Sequence, residues 1–403
     1  MTPPAVIQEA RPAAREPRAQ GRGGGGAVLS LRLPFDPILA LATIGIAVLS
    51  LLTLKAATVD DVPGDPTFYV KRQAVFFVLG AIVAIVVSRL DYARLRTVRT
   101  PLYVTLFALI VAVQLFGSVT RGSRLAIELP FFSFQASELG KVLLIVALSG
   151  FAVERARAAL RRDTTARIML LALVPAAMVI AQDLGSGLIY IVIGVAVLFV
   201  LGTSWRHFAG LAALAAAGLV LGLVALPAAG VEVLKPYQQD RLTAFLNPTD
   251  NPREQGYQQN QSRIAIGAGQ KTGRGDRATQ TRLNFLPEHH TDFVFASVGE
   301  RWGFVGAAFA LSLYALLVWR GLRILTVAKD LFGALIAGGI VAMLLAQVFI
   351  NVGMNVGIMP ITGIPLPLLS YGGSSVLSTF LAIGLLQAVY AQGRAATKGR
   401  AGF

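Results

Sequence analysis

Cysteine is absent from this 403-residue chain, so neither a disulfide framework nor a thiolate metal site can be drawn, and the redox compartment leaves no mark. Charge is also scarce: Asp, Glu, Lys and Arg make up 14% of residues against 55% hydrophobic, with a mean hydropathy of +0.66. So few charges cannot solvate a globular surface of this size, which excludes a soluble domain and makes lipid the solvent. Acidic side chains are the rarer sign, 21 against 36 basic ones, for a formal net charge of +15. The basic residues stand in short clusters between apolar runs, a pattern of membrane orientation and not of nucleic-acid binding. Histidine numbers three, so a metal would have to draw on those and on carboxylates. The first 34 residues lack an apolar core and a cleavage site. Their prolines, arginines and the run Gly23–Gly26 predict a disordered cytoplasmic tail over 1–34, not a signal peptide.

What is abundant is apolar sequence in runs of membrane length. Runs near 37–54, 70–88, 101–117, 138–153, 168–181, 187–203, 208–229, 304–319, 331–351 and 374–391 predict an all-α polytopic membrane protein with about ten transmembrane helices, one domain over 35–392. Arg89, Arg94, Arg96 and Arg99 follow the second run, Arg155, Arg157, Arg161, Arg162 and Arg167 the fourth, Arg206 the sixth, and Arg320, Arg323 and Lys329 the eighth. All four connections fall on one side, which with the basic N-terminal tail and the tail 393–403 places both termini in the cytoplasm. The alternate connections carry Asp60, Asp61 and Asp65 or, between Val352 and Gly373, no charge. A long outer loop over 230–292 is basic, yet long loops escape the charge rule; its length predicts short re-entrant or interfacial helices and a functional role.

The chemistry-bearing residues gather at predicted outer ends. In Leu286-Pro287-Glu288-His289-His290-Thr291-Asp292-Phe293 a carboxylate and two imidazoles stand where the loop enters the eighth helix. A partly desolvated carboxylate there suits a general base for a sugar hydroxyl; equally, Asp292 or Thr291 can serve as a helix cap. Glu288, His289, His290 and Asp292 are also the candidate ligands for a divalent cation, although adjacent histidines usually point apart. Glu138 and Lys141 can pair at the start of the fourth helix, each costing roughly 3 kcal/mol if alone at mid-membrane. Glu300 needs a partner or a water-filled groove, and Asp183 suits a tight Asx turn. Arg241 offers a guanidinium fork to a diphosphate. Gly267-Ala268-Gly269-Gln270-Lys271-Thr272 lacks the glycine directly before the lysine and the preceding strand of a phosphate loop. Segment 353–373, rich in proline and glycine around Met359-Pro360 and Pro365-Leu366-Pro367, reads as re-entrant backbone lining a site.

Five pieces in order, Lys71-Arg72-Gln73, Phe134 to Lys141, Asp240 to Pro248, Leu286 to Phe295 and Gly363 to Ser375, resemble the shape, elongation, division and sporulation (SEDS) family of membrane glycosyltransferases. The wording Gly363-Ile364-Pro365-Leu366-Pro367 is similar to the RodA branch, which favours elongation over division. The resemblance implies polymerisation of lipid II into β-1,4 glycan on the outer face of a bacterial cytoplasmic membrane, by one inverting displacement. It puts Asp292 at the family's catalytic aspartate. Gln135, Ser137, Glu138, Lys141, Arg241, Glu288, His289, His290, Thr291, Glu300, Ser370 and Ser374 are then expected to contact substrate. A divalent cation, Mg or Mn, and a class B penicillin-binding protein of an elongation or division complex are the implied cofactor and partner. The chain departs from the family at Ala136 and Gln182, where proline is usual, at Leu125-Ala126, where an Arg-Trp pair is typical, and at Arg301, where a second glutamate is customary. A lipid flippase or a non-catalytic scaffold for a transpeptidase are the competing readings.

Overall fold

The computed structural model describes residues 35–120, 123–222, 227, 245, 255–283 and 285–401, and the statements below concern these residues. Arg241, the predicted tail over 1–34 and much of the predicted outer loop lie outside them. Helices α1 (Pro37–Ala57), α2 (Phe68–Ser88), α3 (Arg99–Phe116), α4 (Ala136–Glu154), α5 (Arg162–Ile180) and α6 (Leu184–Leu201) form the first half. A shorter α7 (Trp205–Val220) follows, then α8 (Gln255–Gly269) and the single turn α9 (Thr279–Arg282) within the loop. The long helices α10 (Val294–Val327), α11 (Leu331–Val356) and α12 (Gly373–Ala401) close the bundle. Nine of the described helices are long and apolar enough to cross a membrane. The sequence predicts about ten; α7, at 16 residues, is the start of the remaining run, whose end lies outside the described residues.

Helix starts follow local chemistry. Asp36 accepts from the amides of Ile38 and Leu39 at 3.1 and 2.9 Å, ahead of Pro37 at the first helical position. Asp183 accepts from the Gly185 amide at 3.0 Å and Asp330 from Gly333 at 2.8 Å, opening α6 and α11. Packing follows the rule for lipid, where small residues let helices approach. A Cβ on Gly194 would stand 2.6 Å from that of Ala172, across α5 and α6, and one on Gly339 would stand 2.8 Å from Ile145 of α4. The most buried spans are α4, α11 and α12, whereas α7 buries none of its residues.

The all-helical expectation holds, with two local features inside it. Strands β1 (Ser118–Thr120), β2 (Ser123–Glu128) and β3 (Ser133–Phe134) form a small antiparallel sheet in the order β1-β2-β3, with Ile127 opposite Phe134. It carries the chain from α3 to the start of α4. In α10 the apolar run predicted from 304 begins just past a break at Gly303, whose φ of +63° and ψ of −157° leave the helix. The segment 269–274, after α8, crosses there. Its Gln270 and Lys271 carbonyls accept from the amides of Phe304 and Val305 at 2.8 and 3.1 Å, and its Arg274 amide donates to the Glu300 carbonyl at 2.8 Å. Gly267 to Gly269 are helical, not a phosphate-binding turn.

Candidate active site

Asp292 lies two residues ahead of α10, in a loop over 286–293 whose shape is set by its own carbonyls. The amides of Thr291 and Phe293 both donate to the Glu288 carbonyl at 3.1 Å, around a Glu288 backbone with φ of +57°. The Ser297 hydroxyl donates to the His289 carbonyl at 2.8 Å, and the Tyr371 amide to that of His290 at 2.9 Å. The Ser370 hydroxyl donates to the Thr291 carbonyl at 2.6 Å. Finally, Asn351 and Asn355 of α11 both donate through Nδ2 to the Asp292 carbonyl, at 2.9 and 3.2 Å. Five consecutive carbonyls are thus held, that of Glu288 by the loop's own amides and the next four by donors from α10, α11 and the segment before α12, which fixes the backbone beneath the half-buried Asp292.

The cap of α10 falls at Phe293, which makes no side-chain capping bond. Thr291 turns its hydroxyl back onto Glu288 Oε2 at 2.8 Å, and the Ala296 amide donates to Asn355 Oδ1 at 3.1 Å. Part of the capping therefore comes from α11, which leaves Thr291 out of the role its position suggests.

The irregular segment between α11 and α12 is stitched to the same loop. Ser370 Oγ accepts from the Leu366 amide at 2.8 Å, and Gln73 of α2 donates to the Ser370 carbonyl at 3.0 Å. Ser50 of α1 donates to the Leu369 carbonyl and Tyr314 of α10 to that of Pro367, at 2.8 and 2.7 Å. Non-helical backbone at membrane depth is stable because buried side chains satisfy it. Ser374 extends the chain of contacts: its hydroxyl accepts from the Gln135 amide at 3.0 Å and donates to the Ser133 carbonyl at 2.8 Å, fixing the start of α4.

On α4, Lys141 Nζ and Glu138 Oε1 form a 2.6 Å ion pair with both side chains 2% exposed. The Ser137 carbonyl accepts from the Tyr190 hydroxyl at 3.1 Å, in a contact close enough that a Cβ on Gly140 would lie 2.1 Å from that oxygen. Glu300, fully buried, accepts from the amides of Gln280 and Thr281 at 2.9 and 3.0 Å and from the Thr281 hydroxyl at 3.0 Å. Both its oxygens are engaged in anchoring α9, so its partner is the loop. Arg301, one of the departures, pairs with Asp276 of that loop at 2.8 Å.

The two adjacent histidines converge instead of pointing apart. His289 Nε2 and His290 Nδ1 lie 3.2 and 3.9 Å from Asp61 Oδ2, on the connection between α1 and α2. Beside them Arg282 pairs with Asp60 at 2.9 Å. Tyr69 packs its ring 4.6 Å from that of His290 and 4.9 Å from that of Tyr371. Burial, reinforced by His289, pushes the His290 pKa below the ordinary value against the pull of Glu288 and Asp61. Burial raises the Tyr371 pKa, and a hydrogen bond from Arg72 works against it.

Sequence reasoning missed Asn351, Asn355 and Asp61. The asparagines had a signal: Gln347, Asn351 and Asn355 fall four apart in an otherwise apolar helix, a polar stripe that must find partners in the bundle interior. Asp61 had none, because its partners are more than two hundred residues away.

Fold and site together define a polytopic helical membrane protein with a pinned, carboxylate-bearing loop ahead of α10. The profile of the FtsW/RodA/SpoVE cell cycle proteins matches residues 35–395, and the chain belongs to that family. It is 33% identical to the peptidoglycan glycosyltransferase MrdB of Escherichia coli K12, over 89% of this chain and 94% of the relative. It is 34% identical to the stage V sporulation protein E of Bacillus subtilis, over 87% of this chain and 94% of that one. Among solved structures, a chain of a peptidoglycan synthase complex that coordinates polymerization and crosslinking superposes with a TM-score of 0.76 and 32% identity, covering 90% of this chain and 99% of the other. The rod shape determining protein RodA of Thermus thermophilus superposes with a TM-score of 0.63 and 30% identity, over 89% and 97%.

Proposed function

We propose that this chain is a peptidoglycan glycosyltransferase that polymerises lipid II into β-1,4 glycan strands, with Asp292 as the general base. The supporting observation is the fixed backbone under Asp292, where five consecutive carbonyls are each held. A fixed backbone lowers the cost of holding the base where it takes the proton.

The acceptor's 4-hydroxyl gives its proton to the Asp292 carboxylate as its oxygen bonds to the donor's anomeric carbon. The bond from that carbon to the diphosphate breaks on the opposite face, so an α-linked donor becomes a β-linked product. General-base assistance of this kind is worth roughly 10²–10⁴ in rate. The leaving diphosphate is already anionic and requires cations instead of an acid. Arg241, outside the described residues, is the candidate. Lys141 serves only if its buried pair with Glu138 opens. A divalent ion, Mg or Mn, would supply counter-charge there.

The positive-inside pattern supports a cytoplasmic-membrane orientation with both termini inside and Asp292 facing outward. The match to a synthase complex supports a class B penicillin-binding protein as partner, and the RodA-like wording of 363–367 supports elongation. Purified protein with fluorescent lipid II provides the test. Asp292→Asn keeps every backbone contact described above and is expected to lower polymerisation at least about 100-fold with lipid binding unchanged. Polymer formation at the normal rate by that variant would refute the mechanism, and loss of translocation alone would favour a flippase.

A further inference from the structure

The histidine pair poses a problem of charge. His289 Nδ1 lies 3.0 Å from the Leu286 carbonyl, which can only accept, so Nδ1 carries the hydrogen. In the neutral ring Nε2 then presents a lone pair, and it faces Asp61 Oδ2 at 3.2 Å without an aligned hydrogen bond. His290 Nδ1 faces the same oxygen at 3.9 Å, beyond hydrogen-bond reach, and makes no hydrogen bond to the described residues. Electron-rich atoms from three side chains therefore converge on one point, within 4.8 Å of one another. A proton satisfies one such contact, but a cation of higher charge satisfies all three.

We infer that Asp61, His289 and His290 form a binding site for a divalent transition-metal ion of the zinc kind. Donors about 2.0–2.2 Å from a tetrahedral ion stand about 3.3 Å apart, and the two distances to Asp61 bracket that spacing. Two imidazoles with one carboxylate suit zinc better than magnesium or manganese, which favour oxygen ligands. The Leu286 carbonyl holds the His289 ring in the tautomer and orientation a ligand needs. The site is largely shielded, with side-chain exposures of 8%, 3% and 18% for Asp61, His289 and His290. Three protein ligands leave one coordination position for water or an anionic oxygen. The ion would tie the connection between α1 and α2 to the loop that carries Asp292.

The test uses the whole chain, purified without a histidine tag, stripped with a chelator, then titrated with zinc chloride and assayed for bound metal. Wild type is expected to retain one zinc per chain after desalting and to hold it against excess magnesium chloride. Asp61→Ala and His290→Ala are expected to weaken zinc binding at least about 100-fold, while His207→Gln, the remaining histidine, leaves it unchanged. X-ray absorption on zinc-loaded wild type covers the case of misfolded variants and should show two imidazole nitrogens near about 2.0–2.1 Å. No retained zinc, equal retention by both site variants, or absorption without imidazole ligands overturns the inference. None of these readouts involves polymerisation, so the site and the glycosyltransferase reading can fail separately.

Discussion

At the scale of single residues, stability in this protein rests on buried charges that have partners. Asp36 is fully buried; it caps α1 and accepts from Arg320 of α10, and its backbone N–H donates to Gln387 Oε1 of α12 at 2.7 Å while its carbonyl accepts from Gln387 Nε2 at 3.1 Å. Asp36→Ala removes the cap and strands a guanidinium whose side chain is 16% exposed, an expected loss of about 3 kcal/mol. Asp36→Asn, which keeps the cap, should lose less; thermal unfolding in detergent would separate the two, and equal midpoints would remove the cap from the account. Glu138 and Lys141 follow the same logic more sharply, since neither reaches water. Lys141→Met alone leaves a buried carboxylate and should cost about 3–5 kcal/mol, whereas Glu138→Gln combined with Lys141→Met should recover most of it. A double variant no more stable than the single one would show that the pair is not a self-contained unit. The sequence made the Glu138–Lys141 pair legible because its members are three apart on one helix. Asp36–Arg320 was not legible, because nothing local announces a partner across the whole bundle.

At the scale of elements, the membrane runs could be read because lipid demands long apolar stretches, and their helices begin where Asp36, Asp183 and Asp330 cap them. The break in α10 could not, because it depends on another chain segment arriving. Gly303 has φ of +63°, and a Cβ there would lie 2.4 Å from the Gly273 amide nitrogen and 2.7 Å from the Gly269 carbonyl. Gly303→Ala therefore meets both a disfavoured backbone and a clash with backbone that cannot rotate away. An expected loss above about 1 kcal/mol follows from the conformation alone, with the clash added to it. Because Glu300, three residues earlier, anchors α9, the variant should also speed amide exchange over 279–282. Exchange unchanged in that turn would mean that the break and the anchor are independent. The small sheet was illegible for a related reason: its strands are two to six residues long, too short for alternation to register.

At the scale of the whole molecule, the ion pairs fix how many times the chain crosses. Asp60 and Asp61, between α1 and α2, touch Arg282, His289 and His290, so the start of α10 lies at the same end as that connection. Returning to the same end requires an even number of crossings in between. Only five of the nine long spans, α2 to α6, lie in that interval. A sixth crossing is needed, and among the described residues of that interval α7 is the further apolar helix. The orientation of that frame is the proposal drawn from charge, and the absence of cysteine makes it measurable with single introduced thiols. Asp65→Cys, in the connection between α1 and α2, should react with a membrane-impermeant maleimide on intact cells. Arg157→Cys, exposed in the connection between α4 and α5, should react only after permeabilisation. The reverse pattern would put Asp292 on the cytoplasmic side, where the proposed outer-face polymerisation could not take place. Labelling of both positions from one side would break the crossing count itself, because an odd number of spans, α2, α3 and α4, separates them.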